Sequence, residues 1–184
     1  MAGLKFRVLL DSENSNEVFR DLLINSEDNF ETFYKAILSA FNFQGLEMAS
    51  FYVSNDSWDK GHEINLEDMT YGDDELADTS SIMKDSIIQD FIEEPDQKFI
   101  LVYDFLRMWI FLVELIGYEK VPPAQPQVLL AIGMAPPEDS KPLENETAFL
   151  DLGGDDDDED EDEFGFNDFD DDISDDDYSN FDSY

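Results

Sequence analysis

The stretch DNFETFYKAILSAFNFQG, residues 28–45, decides how this chain folds. Asp28 stands three residues before Glu31, the spacing of a capping box, in which each side chain satisfies an unpaired backbone N–H at a helix start. That spacing predicts a helix beginning there. Phe30, Phe33, Tyr34, Ile37, Leu38 and Phe41 follow at offsets 0, 3, 4, 7, 8 and 11, so all six share one face at about 3.6 residues per turn. Gly45 lies just past the pattern, where a stop signal belongs. An aromatic stripe of this kind lines a ligand groove or fills a core; at helical spacing, core is the ordinary use, and the stripe is read so here.

Strand signals surround the helix. Leu4, Phe6, Val8 and Leu10 alternate with Lys5, Arg7, Leu9 and Asp11, the period of a strand with one buried face. Ser12–Asn16 is turn chemistry, and Glu17–Ile24 returns as the second arm of a hairpin, with Arg20 and Asp21 among its β-branched and aromatic residues. Met48–Ser54 reads as a third strand. The polar stretch from Asn55 to Ser81, with Ile64, Leu66 and Met69 as its apolar cluster, reads as loop with one short turn of helix. Asp85 is placed to cap a short helix carrying Ile87, Ile88, Phe91 and Ile92, which Glu94-Pro95 ends because proline disfavours helical geometry in the residue before it. Phe99–Phe105 and Met108–Ile116 are long apolar runs broken at Leu106-Arg107, the pattern of a hairpin covered on both faces. After the loop at Pro122, Pro123 and Pro126, Val128–Ile132 supplies an edge strand, and Pro136-Pro137 closes the folded part. No internal repeat or heptad is visible.

Charge divides the chain differently. There are 47 acidic and 10 basic side chains, for a net charge of -37 with the one histidine neutral. That balance excludes binding of nucleic acid or an anionic membrane through the average surface. Residues 1–137 carry -16, residues 138–154 carry -4 and residues 155–184 carry -17 with no basic residue. The last segment offers too little contiguous apolar burial to offset about 1–2 kcal/mol of backbone entropy per residue, so a disordered tail is expected. Phe164, Phe166, Phe169, Ile173, Tyr178, Phe181 and Tyr184 nevertheless recur through its aspartates. A segment that docks on a basic, partly apolar groove uses charge for encounter and aromatic rings for residence. The same alternation also suits a nucleic-acid mimic, with carboxylates for phosphates and rings for bases, and a solubilising acidic spacer is the plainest alternative.

With no cysteine, disulfides and thiolate chemistry are excluded. Met1–Asp11 lacks a signal-peptide core, and the apolar run 99–118 is interrupted by Asp104, Arg107 and Glu114, which are costly in a bilayer; a cytoplasmic protein without a membrane span is expected.

Particular letters resemble a known family. Val102-Tyr103-Asp104-Phe105 followed by Trp109, and Gly133-Met134-Ala135-Pro136-Pro137-Glu138-Asp139, are similar to the Tyr-Asp-Phe…Trp and Gly…Ala-Pro-Pro-Glu-Asp segments of the plasmid pRi ORF-three-like family, whose members are also labelled insertion-element passenger proteins of TnpR type. The resemblance covers roughly Lys5 to Asp139. It implies an α+β domain in which one main helix packs on a β-grasp-like mixed or antiparallel sheet, and it implies no reaction. Leu106, Arg107 and Phe111 stand where the family usually has Gly-Asp and a histidine, and Ser140, Lys141 and Pro142 replace its glycines.

The candidates for chemistry are few. Acid/base work needs a tuned carboxylate or histidine beside a second positioned group. Asp104 and Glu114 either meet across the second hairpin, which would raise one pKa, or sit at strand ends or pair with Arg107. His62 has no second histidine or cysteine for a metal or triad. Counted as an EF-hand from Asp168, the sixth and twelfth positions hold Ile173 and Ser179 instead of glycine and glutamate, so no specific calcium site is expected. The expectation is therefore a domain over residues 1–139, a linker over 140–154 and an acidic-aromatic tail over 155–184. Functionally it is a non-enzymatic interaction module without cofactor or metal, whose tail recruits a basic protein. The alternatives are a DNA mimic or electrostatic mask on a nucleic-acid-handling assembly, and an enzyme using Asp104 and Glu114.

Overall fold

The alternation at the start of the chain makes a strand, β1 (Gly3–Asp11), whose Leu4, Phe6, Val8 and Leu10 are buried. The computed structural model describes residues 2–11, 17–68 and 80–143. After β1 come β2 (Phe19–Asn25), α1 (Phe30–Phe41), β3 (Ala49–Ser54), β4 (Glu63–Asn65), β5 (Ser81–Ile82), β6 (Lys98–Tyr103), β7 (Trp109–Glu119) and β8 (Gln127–Ile132). Among the described residues these strands form one mixed sheet in the order β5-β4-β3-β6-β7-β1-β2-β8. Neighbours are antiparallel except β4 with β5, and central β1 is antiparallel to both β2 and β7. The expected mixed sheet with one packed helix is present. No helix among the described residues is long and apolar enough to cross a membrane.

All six stripe residues of α1 are buried against the sheet. Phe33 lies 4.7 Å from Phe6 and stacks 5.6 Å from Phe51, while Phe30 meets Phe51 at 5.1 Å and Phe99 at 5.3 Å. Each such side chain stabilises the fold by about 1.5–3 kcal/mol through burial. Both caps differ from the expected ones. Asn29, not Asp28, caps α1, its Oδ1 accepting from Thr32 N at 2.9 Å, while an Asp28 oxygen accepts from Asn25 N in the preceding turn. Glu31 pairs with Lys35 instead of reaching back. The helix stops at Asn42, which adopts the left-handed conformation (φ 61°) ahead of Gly45; a short polar side chain tolerates that geometry.

Three further readings change. The expected helical turn in residues 55–81 is not present among the described residues there, where Glu63–Asn65 forms a short strand on β3. Asp85 caps nothing: the segment makes two 3-10 turns, Met83–Asp85 and Ile88–Phe91, separated where Ile87 bridges to Asn29. In the second hairpin only β6 is buried throughout; β7 alternates, with Trp109, Phe111, Val113 and Leu115 facing α1. Arg20, expected among strand residues without a role, faces the helix. It is 6% exposed, donates to Ala40 O at 3.0 Å and to Ile132 O, and lies over the Phe41 ring. It thereby ties β8, as an edge strand on β2, to the end of α1. The turn at 12–16, Met69 and the tail lie outside the described residues.

Candidate functional site

The family-like letters converge at one end of the sheet. The link between β6 and β7 begins at Asp104, which is 5% exposed and left-handed (φ 56°). Aspartate suits this position because its own carboxylate caps the turn: Oδ1 accepts from Leu106 N at 3.0 Å and Arg107 N at 3.2 Å, and Oδ2 lies 3.5 Å from Arg107 Nε. The turn sets Tyr103 and Trp109 opposite each other across the hairpin.

Residues 133–141 then cross this end. Gly133 starts the crossing at φ +75°, where a Cβ would stand 2.5 Å from Glu17 O, so only glycine fits without moving backbone. The Glu138 carboxylate accepts from the Tyr103 hydroxyl and, through its other oxygen, from Gln44 N at 2.7 Å. Tyr103 Oη in turn accepts from Leu46 N at 3.2 Å, and the Glu138 carbonyl accepts from Trp109 Nε1 at 3.0 Å. Arg107 donates to the carbonyls of Asp139 and Lys141, and Lys141 donates to Met108 O while its ammonium sits 5.6 Å from the Trp109 ring centre. The chain thus remains fastened to the sheet past Pro136-Pro137, through Lys141.

Tyr103 and Glu138 form the chemical centre of this junction. Burial, followed by the hydrogen bond to Glu138, pushes the Tyr103 phenol up to about 12. A group so far from neutrality is a poor proton shuttle but a persistent hydrogen-bond donor. Tyr34, whose ring lies 6.3 Å from that of Tyr103, is likewise raised by burial and then by Tyr103, Glu138 and Glu47. Phe43 completes the setting against Trp109 at 5.2 Å and Phe111 at 5.7 Å. Phe111 is therefore a core ring.

The structure brings together Tyr103, Asp104, Trp109, Glu138 and Asp139, whereas Gly133 packs on Glu17 and Val18 and Phe105 points outward, 39% exposed. Ala135 packs against the core from the crossing segment. Sequence reasoning missed Gln44 and Leu46, which contribute backbone N–H groups and so leave no side-chain signal, and it assigned Tyr34 to the core without a use for its hydroxyl.

Asp104 and Glu114 do not meet. Glu114 lies opposite Lys98 at the far end of the hairpin from the Tyr103–Trp109 pair, five residues away along β6, or about 16 Å at strand spacing. Asp104 is held by its own turn, and Glu114 lies 3.6 Å from Lys98 Nζ. The two-carboxylate site is excluded by register. His62 hydrogen-bonds Ser81 Oγ at 2.8 Å and stacks on Phe91. Among the described residues no group of three or more histidine or acidic side chains is gathered to hold a metal. Phe164, Phe166, Phe169, Ile173, Tyr178, Phe181 and Tyr184 lie outside the described residues.

A family model described as plasmid pRiA4b ORF-3-like protein matches residues 2–182. The fold is similar to a crystal structure described as that of a protein of unknown function from Methanosarcina mazei Go1. The TM-score is 0.63 at 16% identity, over 82% of this chain and 80% of that one. No curated protein shows significant similarity.

Proposed function

From the premise that this chain belongs to the plasmid pRiA4b ORF-3-like family, we propose that it is a non-enzymatic, cytoplasmic interaction module. A β-grasp-like domain over residues 1–139, whose chain stays fastened as far as Lys141, carries an acidic-aromatic arm over 155–184 that recruits a basic protein. The observation that carries this reading is the segregation of charge: residues 155–184 hold 17 acidic and no basic side chains, with seven large apolar residues threaded among them. Such a segment gains encounter rate from charge and residence time from its rings. The use of Tyr103, Trp109 and Glu138 in fastening the chain to itself supports a scaffold over a reaction centre.

The test compares the full chain with a chain ending at residue 150, each titrated with a defined lysine-rich peptide at about 0.1 M and about 1 M salt, between which the screening length falls from about 10 to about 3 Å. The full chain binds at low salt and releases at high salt, and the shortened chain, shown folded by circular dichroism, does not bind. Equal binding by both chains would refute the arm. The acidic-aromatic alternation also favours a second reading, a DNA mimic acting on a nucleic-acid-binding protein; that reading requires the full chain to displace DNA from such a protein in a salt-dependent way.

A further inference from the structure

The two edges of the sheet differ. At one, β5 is a strand of two residues, the short form that keeps an edge from pairing with another chain. At the other, β8 runs for six residues, and all six are exposed. Among the described residues its one strand neighbour is β2, so the N–H and C=O groups on its outer side form an open row. Its sequence, QVLLAI, contains none of the charges or prolines that blunt an edge.

Both faces of β8 are apolar. Val128 stands opposite Leu22 on the helix side, whereas Leu130 and Ile132 stand opposite Asp21 and Phe19 on the other. Val128, Leu129, Leu130 and Ile132 are each 42–52% exposed. The helix does not cover them: Ala36, Ser39 and Ala40 of α1 are small, and with Leu22, Pro126 and Val128 they line an open groove of about 410 Å3. Residues 121–137, which contain β8, are also the longest run without a charged side chain in a sequence that is 31% charged.

We propose that β8 is a self-pairing edge, at which a second copy of this chain adds its own β8, antiparallel about a two-fold axis, and doubles the sheet. An antiparallel edge is its own complement, since each strand offers the other the same row of donors and acceptors. Charge selects this occupant. Residues 1–137 carry -16, so two copies repel one another over most of their surfaces, and the charge-free run is where they approach without opposing carboxylates. A basic partner gains no attraction from such a run. The arm over 155–184 is dense in aspartate, which is depleted in strands. One strand per copy makes a small interface, so the dimer is a weak one that forms as concentration rises.

Sedimentation velocity of the full chain from about 5 µM to about 500 µM tests the pairing. A monomer–dimer equilibrium is expected, no weaker at about 1 M than at about 0.1 M salt, because salt screens the like charges. Capture of a lysine-rich peptide by the arm has the opposite salt dependence and needs no dimer, so either reading can fail alone. Amide exchange at residues 128–132 should slow as the dimer forms. Leu129→Glu and Leu130→Lys each alter an exposed side chain and should leave the circular dichroism unchanged, yet each should weaken the dimer at least about tenfold. Their opposite signs separate a local effect from a change in net charge. A dimer that survives either substitution, or one that dissociates at about 1 M salt, would overturn the proposal. So would a monomer at every concentration, and slow exchange at residues 128–132 in that monomer would make the arm, not a second copy, the occupant of the edge.

Discussion

The hydroxyl of Tyr103, at the end of β6, donates to the carboxylate of Glu138, 35 residues further along the chain. This contact closes a ring of structure, because Glu138 also accepts from Gln44 N beyond α1 and Tyr103 accepts from Leu46 N. Tyr103→Phe leaves a half-buried carboxylate short of one donor and Leu46 N short of its acceptor. The expected cost is about 1–3 kcal/mol in urea unfolding. Glu138→Gln should cost a similar amount, and the double variant less than the sum by at least about 0.5 kcal/mol, since both changes break one contact. Strict additivity in that cycle would show that the two side chains do not act together.

Alkaline pH should loosen the fold through tyrosines. Tyr103 and Tyr52 are both pushed up to about 12, each by burial first and then by a hydrogen bond, to Glu138 and Glu63 respectively. In the unfolded chain they ionise near about 10. Between these values the folded state keeps protons that the unfolded state has released, so stability is fully present below about pH 10 and falls as pH rises towards about 12. Urea midpoints measured at about pH 9 and about pH 11 should show the drop, and Tyr52→Phe with Tyr103→Phe should lessen it, Tyr34, also raised by burial, supplying the remainder. An unchanged alkaline slope in that double variant would assign the loss to other groups.

How much of this was readable beforehand follows from the range of the interactions. The α1 stripe and the β1 alternation were legible because one periodicity fixes a whole face, and every residue of both patterns is buried as expected. The cap was misread by one position because Asp28 and Asn29 are both capable of capping. Distant contacts decide between them: the Asn29 side chain also donates to Lys84 O, and Asn29 bridges to Ile87. The helix expected after Asp85 gives way to 3-10 turns at the same place, because that bridge interrupts the segment. The motif letters were visible as a resemblance, but their mutual contact was not, since half of the donors at Glu138 and Tyr103 are backbone groups of residues 44 and 46.

Gly133 should be the least replaceable glycine among the described residues. A Cβ there would collide with Glu17 O at 2.5 Å and Val18 Cα at 3.0 Å, on a backbone at φ +75°. Both obstacles are main chain and do not rotate away. Gly133→Ala should cost on the order of 1–3 kcal/mol and lower the melting temperature by several degrees. Gly117→Ala, in β7 with nothing within 4 Å of its new methyl, serves as the control and should be neutral or stabilising by about 0.5 kcal/mol. Equal effects at the two sites would mean that the crossing segment gives way freely.

Lys98 should matter more than Glu114, although only Glu114 was a candidate for chemistry. The Lys98 side chain is 10% exposed and its Nζ reaches Asp56 at 2.7 Å, Glu114 at 3.6 Å and Asp96 at 3.9 Å. Lys98→Met keeps the apolar stem but leaves three carboxylates facing one another without a cation. It should cost about 1–3 kcal/mol, with a larger loss at low salt, where like charges repel over a longer range. Glu114→Gln removes one of three partners from a side chain that is 40% exposed, and should cost at most about 1 kcal/mol. Urea unfolding of both variants at two salt concentrations separates the effects. A larger loss at Glu114 than at Lys98 would locate the organising charge on β7 instead of β6 and contradict this arrangement.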